Sequence, residues 1–333
     1  MSRARPGRPA PGPYAPPAAR RELTVTSADG SRLHVEEHGR QDGPTVVLVH
    51  GWTCSTAFWA PVVRRLAGDH RVIVYDQRGH GRSPAPGPGG YSTGALADDL
   101  CAVLEAAGSR AVVAGHSMGG MTVMAAAGRP HLRERVAAAL LCSTGSSRLL
   151  HESTVVPLRA GRLRHRVHRA VLGSSLPLGP VTPLGLRVLR HGTMGPAATR
   201  EQVEACARIV HACPRKVRAA WAREVLAVLD LDAHLAALDL PVAVVVGEKD
   251  RLTPPVHARR LAGALPHCTG LTELPGVGHM TPVEAPGTIA GAVAALVRDH
   301  LAGGARPGAP SVESSAGPSG ESSVELSVEK EMS

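Results

Sequence analysis

The sequence predicts an α/β fold built on a mostly parallel sheet, and three observations carry that expectation. Short apolar runs bounded by turn residues recur along the chain, helix-like stretches lie between them, and one long Arg-rich segment breaks the alternation. Strands linked through helices give parallel neighbours with right-handed crossovers. A length of 333 residues accommodates one large core plus an insertion.

The elements follow in order. ELTVTSADGSRLHVEEHG (22–39) alternates around a turn at Asp29-Gly30 and reads as a β-hairpin at a sheet edge. TVVLVHG (45–51), RVIVYD (71–76), AVVAGHS (111–117), VAAALLCS (136–143) and PVAVVVGEKD (241–250) read as strands buried on both faces. Between them TAFWAPVVRRLAG (56–68), TGALADDLCAVLEAAG (93–108) and SMGGMTVMAAAG (117–128) read as helices, and VEAPGTIAGAVAALVRDHL (283–301) closes the body as an amphipathic one. Residues 144–229 are far too many for a crossover between parallel strands, which predicts an inserted helical cap on a core of 22–143 and 230–301. Within it, 158–173 and 199–229 carry apolar positions at helical spacing, for instance Leu163, Val167, Ala170 and Val171, with Arg on the opposite faces.

Net charge is +9, and its distribution is uneven. Residues 1–21 hold five Arg and no acid among many Pro and Ala, which predicts a disordered basic tail; 302–333 carry −3 among Ser, Gly and Pro, which predicts a disordered acidic one. The cap segment holds thirteen Arg and one Lys against four Glu, a net of +10. Such clustering suits an anionic partner, either a coenzyme A or carrier-protein thioester or an anionic membrane surface, and it also fits a solvated helical exterior. No reading motif for nucleic acid accompanies the charge, so none is expected as a partner. No apolar run of membrane-spanning length exists and the N-terminus lacks a signal-type apolar stretch, so a soluble cytoplasmic protein is expected. Abundant Ala, Arg, Gly and Pro suggest a bacterial source of high GC content.

Six cysteines occur without a C-x-x-C pair and read as buried thiols. The cap histidines His165, His168, His191 and His211 lack metal-ligand spacing with carboxylates. Neither a metal nor a cofactor is expected.

The strongest local signal is Gly115-His116-Ser117-Met118-Gly119, a G-x-S-x-G between an apolar strand and an apolar helix. A sharp strand-to-helix turn exposes the Ser hydroxyl, needs small residues at its flanks, and aims helix N–H groups at the reaction centre. A Ser hydroxyl is inert near neutral pH without a base, and the base needs an orienting acid. Asp250, at the C-terminal edge of a strand, is the candidate acid and His279, in a Gly-rich loop before the last helix, the candidate base. Glu248 is a second candidate acid, still inside the strand. His116 is adjacent to the nucleophile and points away from it, so it reads as a packing or hydrogen-bonding residue. The backbone N–H groups of Met118 and Trp52 are the candidate oxyanion donors. Asp76, Arg78, His80 and Ser83 read as a structural turn, and Met118, Met121, Met124 and Met280 as pocket wall or core.

By HGW (50–52), DQRGHGRS (76–83), GHSMGG (115–120), the Asp250 segment and GVGHMTPVEAP (276–286), the chain resembles the cap-bearing branch of the α/β-hydrolase superfamily. The resemblance implies a mostly parallel eight-stranded sheet flanked by helices, with a lid inserted after the sixth strand, where 144–229 falls. It also implies a serine hydrolase that cleaves a carboxylic ester, thioester or lactone through acyl-Ser117. Serine in place of aspartate argues against dehalogenase or epoxide hydrolase chemistry. Carbon–carbon bond hydrolysis and cofactor-free perhydrolysis run on the same triad in this superfamily, and a non-catalytic ligand-binding protein is the alternative of another class.

Overall fold

The computed structural model describes residues 12–159, 161–179 and 181–301. Eight strands form one sheet: β1 (Arg21–Thr26), β2 (Arg32–Gly39), β3 (Thr45–Val49), β4 (Arg71–Tyr75), β5 (Ala111–His116), β6 (Val136–Cys142), β7 (Val242–Gly247) and β8 (Cys268–Leu274). Their order is β1-β2-β4-β3-β5-β6-β7-β8. The β1–β2 hairpin turns at Gly30, whose φ of 82° lies in the left-handed region that glycine tolerates. β2 runs antiparallel to both β1 and β4, and every other pairing is parallel.

The central strands are continuous apolar runs because both sheet faces are covered. Along β3, Val47 and Val49 enter one core while Val46 and Leu48 enter the other, the two-residue period of a strand. The helices in chain order are α1 (Ala60–Leu66), α2 (Thr93–Ala107), α3 (Met118–Ala125), α4 (Pro130–Arg135), α5 (Leu149–Glu152) and α6 (Arg162–Leu172). They continue as α7 (Pro183–Thr193), α8 (Arg200–Ala212), α9 (Arg215–Trp221), α10 (Pro255–Ala264), α11 (Thr281–Glu284) and α12 (Pro286–His300). Leu96, Leu100 and Leu104 of α2 cover the first core, and Val62 of α1 with Ile289 and Val293 of α12 cover the second. Ser92 caps α2 by accepting from Ala95 N–H at 3.1 Å, and Gly108, at φ 71°, ends it.

Between β6 and β7 the chain is helical, from α5 to α9. Its two ends meet where Ser147 pairs with Asp230, and the hydroxyls of Ser146 and Ser147 donate to the Asp232 carboxylate at 2.5 and 2.9 Å. The stretch 199–229 is not one helix, since Pro214 lacks an N–H and separates α8 from α9. Five elements go beyond those read individually from the sequence: α4, α5, α7, α10 and β8. Among the described residues no helix is long and apolar enough to cross a membrane.

The expected disordered tail over 1–21 is corrected for its second half. Tyr14 packs against the second core, Arg64 donates to Ala15 O at 2.8 Å, and Arg21 already opens β1. Arg20 pairs with the buried Glu37 at 2.7 Å. Residues 1–11 and the acidic segment 302–333 lie outside the described residues.

Candidate active site

Ser117 stands between β5 and α3 with φ 52° and ψ −117°, a conformation that L-residues rarely adopt. Neighbouring backbone crowds it there. A Cβ on Gly115 would lie 2.5 Å from Gly119 O, and a Cβ on Gly119 would overlap the carbonyl of Val49 at the end of β3. Ser117 N–H donates to Cys142 O at 2.9 Å, and the Thr144 hydroxyl donates to Ser117 O at 2.8 Å, so the end of β6 pins the turn from the other side.

Asp250 follows β7 and is buried. Its Oδ1 accepts from Leu252 and Thr253 N–H, both at 2.9 Å, and its Oδ2 accepts from the Thr253 hydroxyl at 2.9 Å and from His279 Nδ1 at 2.8 Å. A carboxylate partner requires Nδ1 to carry the hydrogen, which leaves His279 Nε2 as the basic nitrogen. Glu248 does not take this place. Its carboxylate is exposed and engages Lys249 Nζ at 2.8 Å and Gly276 N–H at 3.1 Å.

The loop after β3, which carries the expected oxyanion donor Trp52, is held by the turn after β4. His50 Nε2 accepts from Gln77 N–H at 3.0 Å, and His80 Nε2 accepts from Thr53 N–H at 3.2 Å. Both imidazoles must be neutral to accept, and burial pushes their pKa values down to about 3 and about 4. Asp76, whose carboxyl burial raises to about 6, accepts from Thr56 and Arg82 N–H, both at 2.8 Å. The loop carrying Trp52 is thereby fixed over the Ser117 turn, and a Cβ on Gly51 would lie 3.0 Å from Ser117 Cβ. Among the described residues, neither Trp52 N–H nor Met118 N–H is given to a protein acceptor.

Arg78 anchors the same turn from below. Its guanidinium meets both Asp99 oxygens, at 2.7 and 2.5 Å, and Asp29 at 2.8 Å, with Arg78 and Asp99 fully buried. Arg78→Met leaves the Asp99 carboxylate buried without its partner and is expected to lower stability by about 3–5 kcal/mol. Urea unfolding checks this, with Arg78→Met/Asp99→Leu recovering a large part of the loss.

Ser117 and His279 face one cavity of about 430 Å³. Its walls are Trp52, Met121, Leu149, Leu172, Leu176, Leu178, Leu189 and Met280 among others, so the helical segment after β6 supplies much of its lining. Arg218 also reaches it, but its guanidinium is committed to the carbonyls of Ser174, at 3.2 Å, and Leu176. Such a space is ordinary for a small-molecule site, and its lining surface is predominantly apolar, with Leu the commonest residue. Of the four methionines read as pocket wall or core, Met121 and Met280 line it, while Met118 and Met124 are buried in the first core.

Three further residues position the site. The Thr253 hydroxyl sits 3.2 Å from His279 Nδ1 and buttresses the Asp–His pair. His116 Nε2 donates to His279 O at 2.8 Å, consistent with a neutral ring whose pKa burial and the nearby His279 push well down. Glu284 accepts from Gly195, Gly278 and Met280 N–H at 2.7, 3.0 and 3.1 Å, while His279 N–H donates to Thr193 O at 2.9 Å. The loop of His279 is therefore tied to the end of α7. Glu22, His34 and Glu36 also come together at the sheet edge, where Arg82 already pairs with Glu22 at 2.7 Å and reaches His34 Nε2 at 3.2 Å.

The sequence profile of the alpha/beta hydrolase fold matches residues 44–286, and the chain belongs to that family. It is 32% identical over 281 residues to "Putative carbamate hydrolase RutD" of Variovorax paradoxus, a match spanning 84% of this chain and 99% of that protein. Among solved structures it is similar to a thermophilic esterase from Thermogutta terrifontis, with TM-score 0.68, 25% identity, and coverage of 84% of this chain and 98% of that one. An esterase from Rhodococcus sp. superposes with TM-score 0.69 at 24% identity over 84% and 99% of the two chains, a likeness of fold. The protein is a hydrolase by family and relatives.

Proposed function

We propose that the protein is a serine hydrolase that cleaves carboxylic esters or thioesters of aliphatic acids through an acyl-Ser117 intermediate, with the helices between β6 and β7 acting as its cap. His279 Nε2 takes the Ser117 proton as Oγ attacks the acyl carbon, and Asp250 steadies the imidazolium. The N–H groups of Trp52 and Met118 receive the oxyanion, each such donor contributing about 3–4 kcal/mol in the transition state. His279 then protonates the leaving alkoxide or thiolate, and water attacks the acyl carbon by the same route to release the acid.

The observation that carries the substrate class is the cavity lining. A predominantly apolar space of about 430 Å³ beside Ser117 favours an acyl chain of several carbons over a small polar substrate. A series of p-nitrophenyl esters from acetate to palmitate is expected to give a kcat/KM maximum at intermediate length, rising about three- to fourfold per added methylene until the space is filled. The relative named for carbamate hydrolysis supports a second reading. Ammonia release from ethyl carbamate, faster than any ester is cleaved, would replace the ester reading with that one.

A further inference from the structure

We infer that the outer face of α6, α7 and their connection is a docking surface for an anionic lipid bilayer. Residues 153–199 contain seven Arg and not one Asp or Glu. Among the described residues none of these seven forms an ion pair. Of ten exposed large aliphatic side chains among the described residues, eight lie between Leu158 and Val188, with Leu176 at 72% and Leu184 at 70% exposure. Leu184 and Val188 stand one turn apart on α7 with Arg187 beside them, and Leu163 stands on α6 between Arg162 and Arg164.

A soluble surface helix normally turns its aliphatic stripe inward; here aliphatic side chains and guanidinium groups share the exposed side. That combination is what an interfacial helix offers a bilayer, apolar side chains for the acyl boundary and Arg for the phosphate groups. A second copy of this chain would bring the same uncompensated positive charge against it, which disfavours self-association on this face. The patch is also continuous with the cavity, because Val171, Leu176 and Leu178 are exposed and line its mouth. A chain leaving the bilayer there would enter the cavity without crossing water. The docking itself does not depend on the serine chemistry, and Ser117→Ala is expected to bind as the wild type does.

The test is sedimentation of the full-length protein with vesicles of phosphatidylcholine alone or containing about a third phosphatidylglycerol, at low and high salt. Binding to the phosphatidylglycerol vesicles, weakened at least about tenfold by high salt and absent from phosphatidylcholine, is the expected result. Arg162→Gln/Arg166→Gln/Arg187→Gln should weaken binding about 100-fold, at about fivefold per Arg. Leu184→Ser/Val188→Ser should weaken it about tenfold or more while cleaving a short p-nitrophenyl ester at the wild-type rate. The inference is overturned if wild type does not bind the anionic vesicles, or if either variant binds them as wild type does. It is equally overturned if wild type is a dimer that Leu184→Ser/Val188→Ser dissociates.

Discussion

Ser117→Gly is expected to abolish ester hydrolysis and at the same time to make the protein more stable. The two effects share one cause. Ser117 is held at φ 52° and ψ −117°, where a Cβ costs about 1–3 kcal/mol and glycine is at ease. Against that stands the greater backbone freedom that glycine loses on folding, about 0.5–1 kcal/mol, so a net gain of about 1 kcal/mol is expected. Activity should fall by roughly 10⁴–10⁶ because no other group on the turn offers an oxygen to be acylated. Ser117→Ala separates the two effects, since it removes the hydroxyl but keeps the Cβ, and should be as inactive as Ser117→Gly without its gain. Hydrolysis of a p-nitrophenyl ester and urea unfolding of the three proteins decide the matter. Equal stability of the glycine and alanine variants would show that the turn holds no strain of this kind, and turnover near the wild-type rate in both would remove Ser117 as the nucleophile.

How far the site was legible depends on whether chemistry or packing dictated the residue. The turn at Ser117 could be read because crowding by Val49 and Gly119 permits few residue types around it. Asp250 and His279 could be read as candidates because each follows a recognisable boundary, and it is Asp250, at 2.8 Å, rather than Glu248 that lies beside His279. Thr253 and Glu284 could not be read by the same means. Their partners are backbone N–H groups, a carboxylate and an imidazole brought together by tertiary structure, and nothing in the local pattern announces such partners. The one available signal for Glu284 was an acid set among Val283, Ala285 and Pro286 just after the candidate base.

The same division runs through the fold. β3, β5, β6 and β7 stood out as apolar runs because they lie at the centre of the sheet, whereas β8 is an edge strand with exposed Thr269, Gly270 and Thr272 and carries no such run. α7 begins with Pro183 and contains Gly185 and Gly192, which lower helix propensity, while its aliphatic Leu184 and Val188 face outward instead of marking a buried stripe. In the expected basic tail, Tyr14 is the lone aromatic and is the residue that packs. Composition averaged over 1–21 concealed that anchor.

Glu284→Ala is expected to lower turnover about 100-fold with little change in KM, and the reason is positional. The carboxylate holds the N–H groups on both sides of His279, from Gly278 and Met280, together with Gly195 at the end of α7. Burial raises the carboxyl pKa although the three N–H groups oppose the shift, and these donors are the partners of the buried acid among the described residues. Without it the backbone N–H groups flanking His279 lose their acceptor, while Thr193 O, His116 and Asp250 still hold His279 and Lys249 N–H still holds Val277 O, and a displacement of about 1 Å at the base costs about two orders of magnitude in rate. The aliphatic walls of the cavity belong to other elements, so substrate binding should persist. Glu284→Gln keeps one acceptor oxygen but sets an amide donor against Met280 or against Gly195 and Gly278, and an intermediate loss of about tenfold is expected. Each unmatched buried N–H also costs about 1–3 kcal/mol of stability, which a structural role alone would produce as well. Titrating reactive Ser117 with a phosphonate ester separates the two. A lower turnover per titrated site marks Glu284 as a positioning residue for His279, whereas fewer titratable sites turning over at the wild-type rate would reduce it to a fastening of the fold.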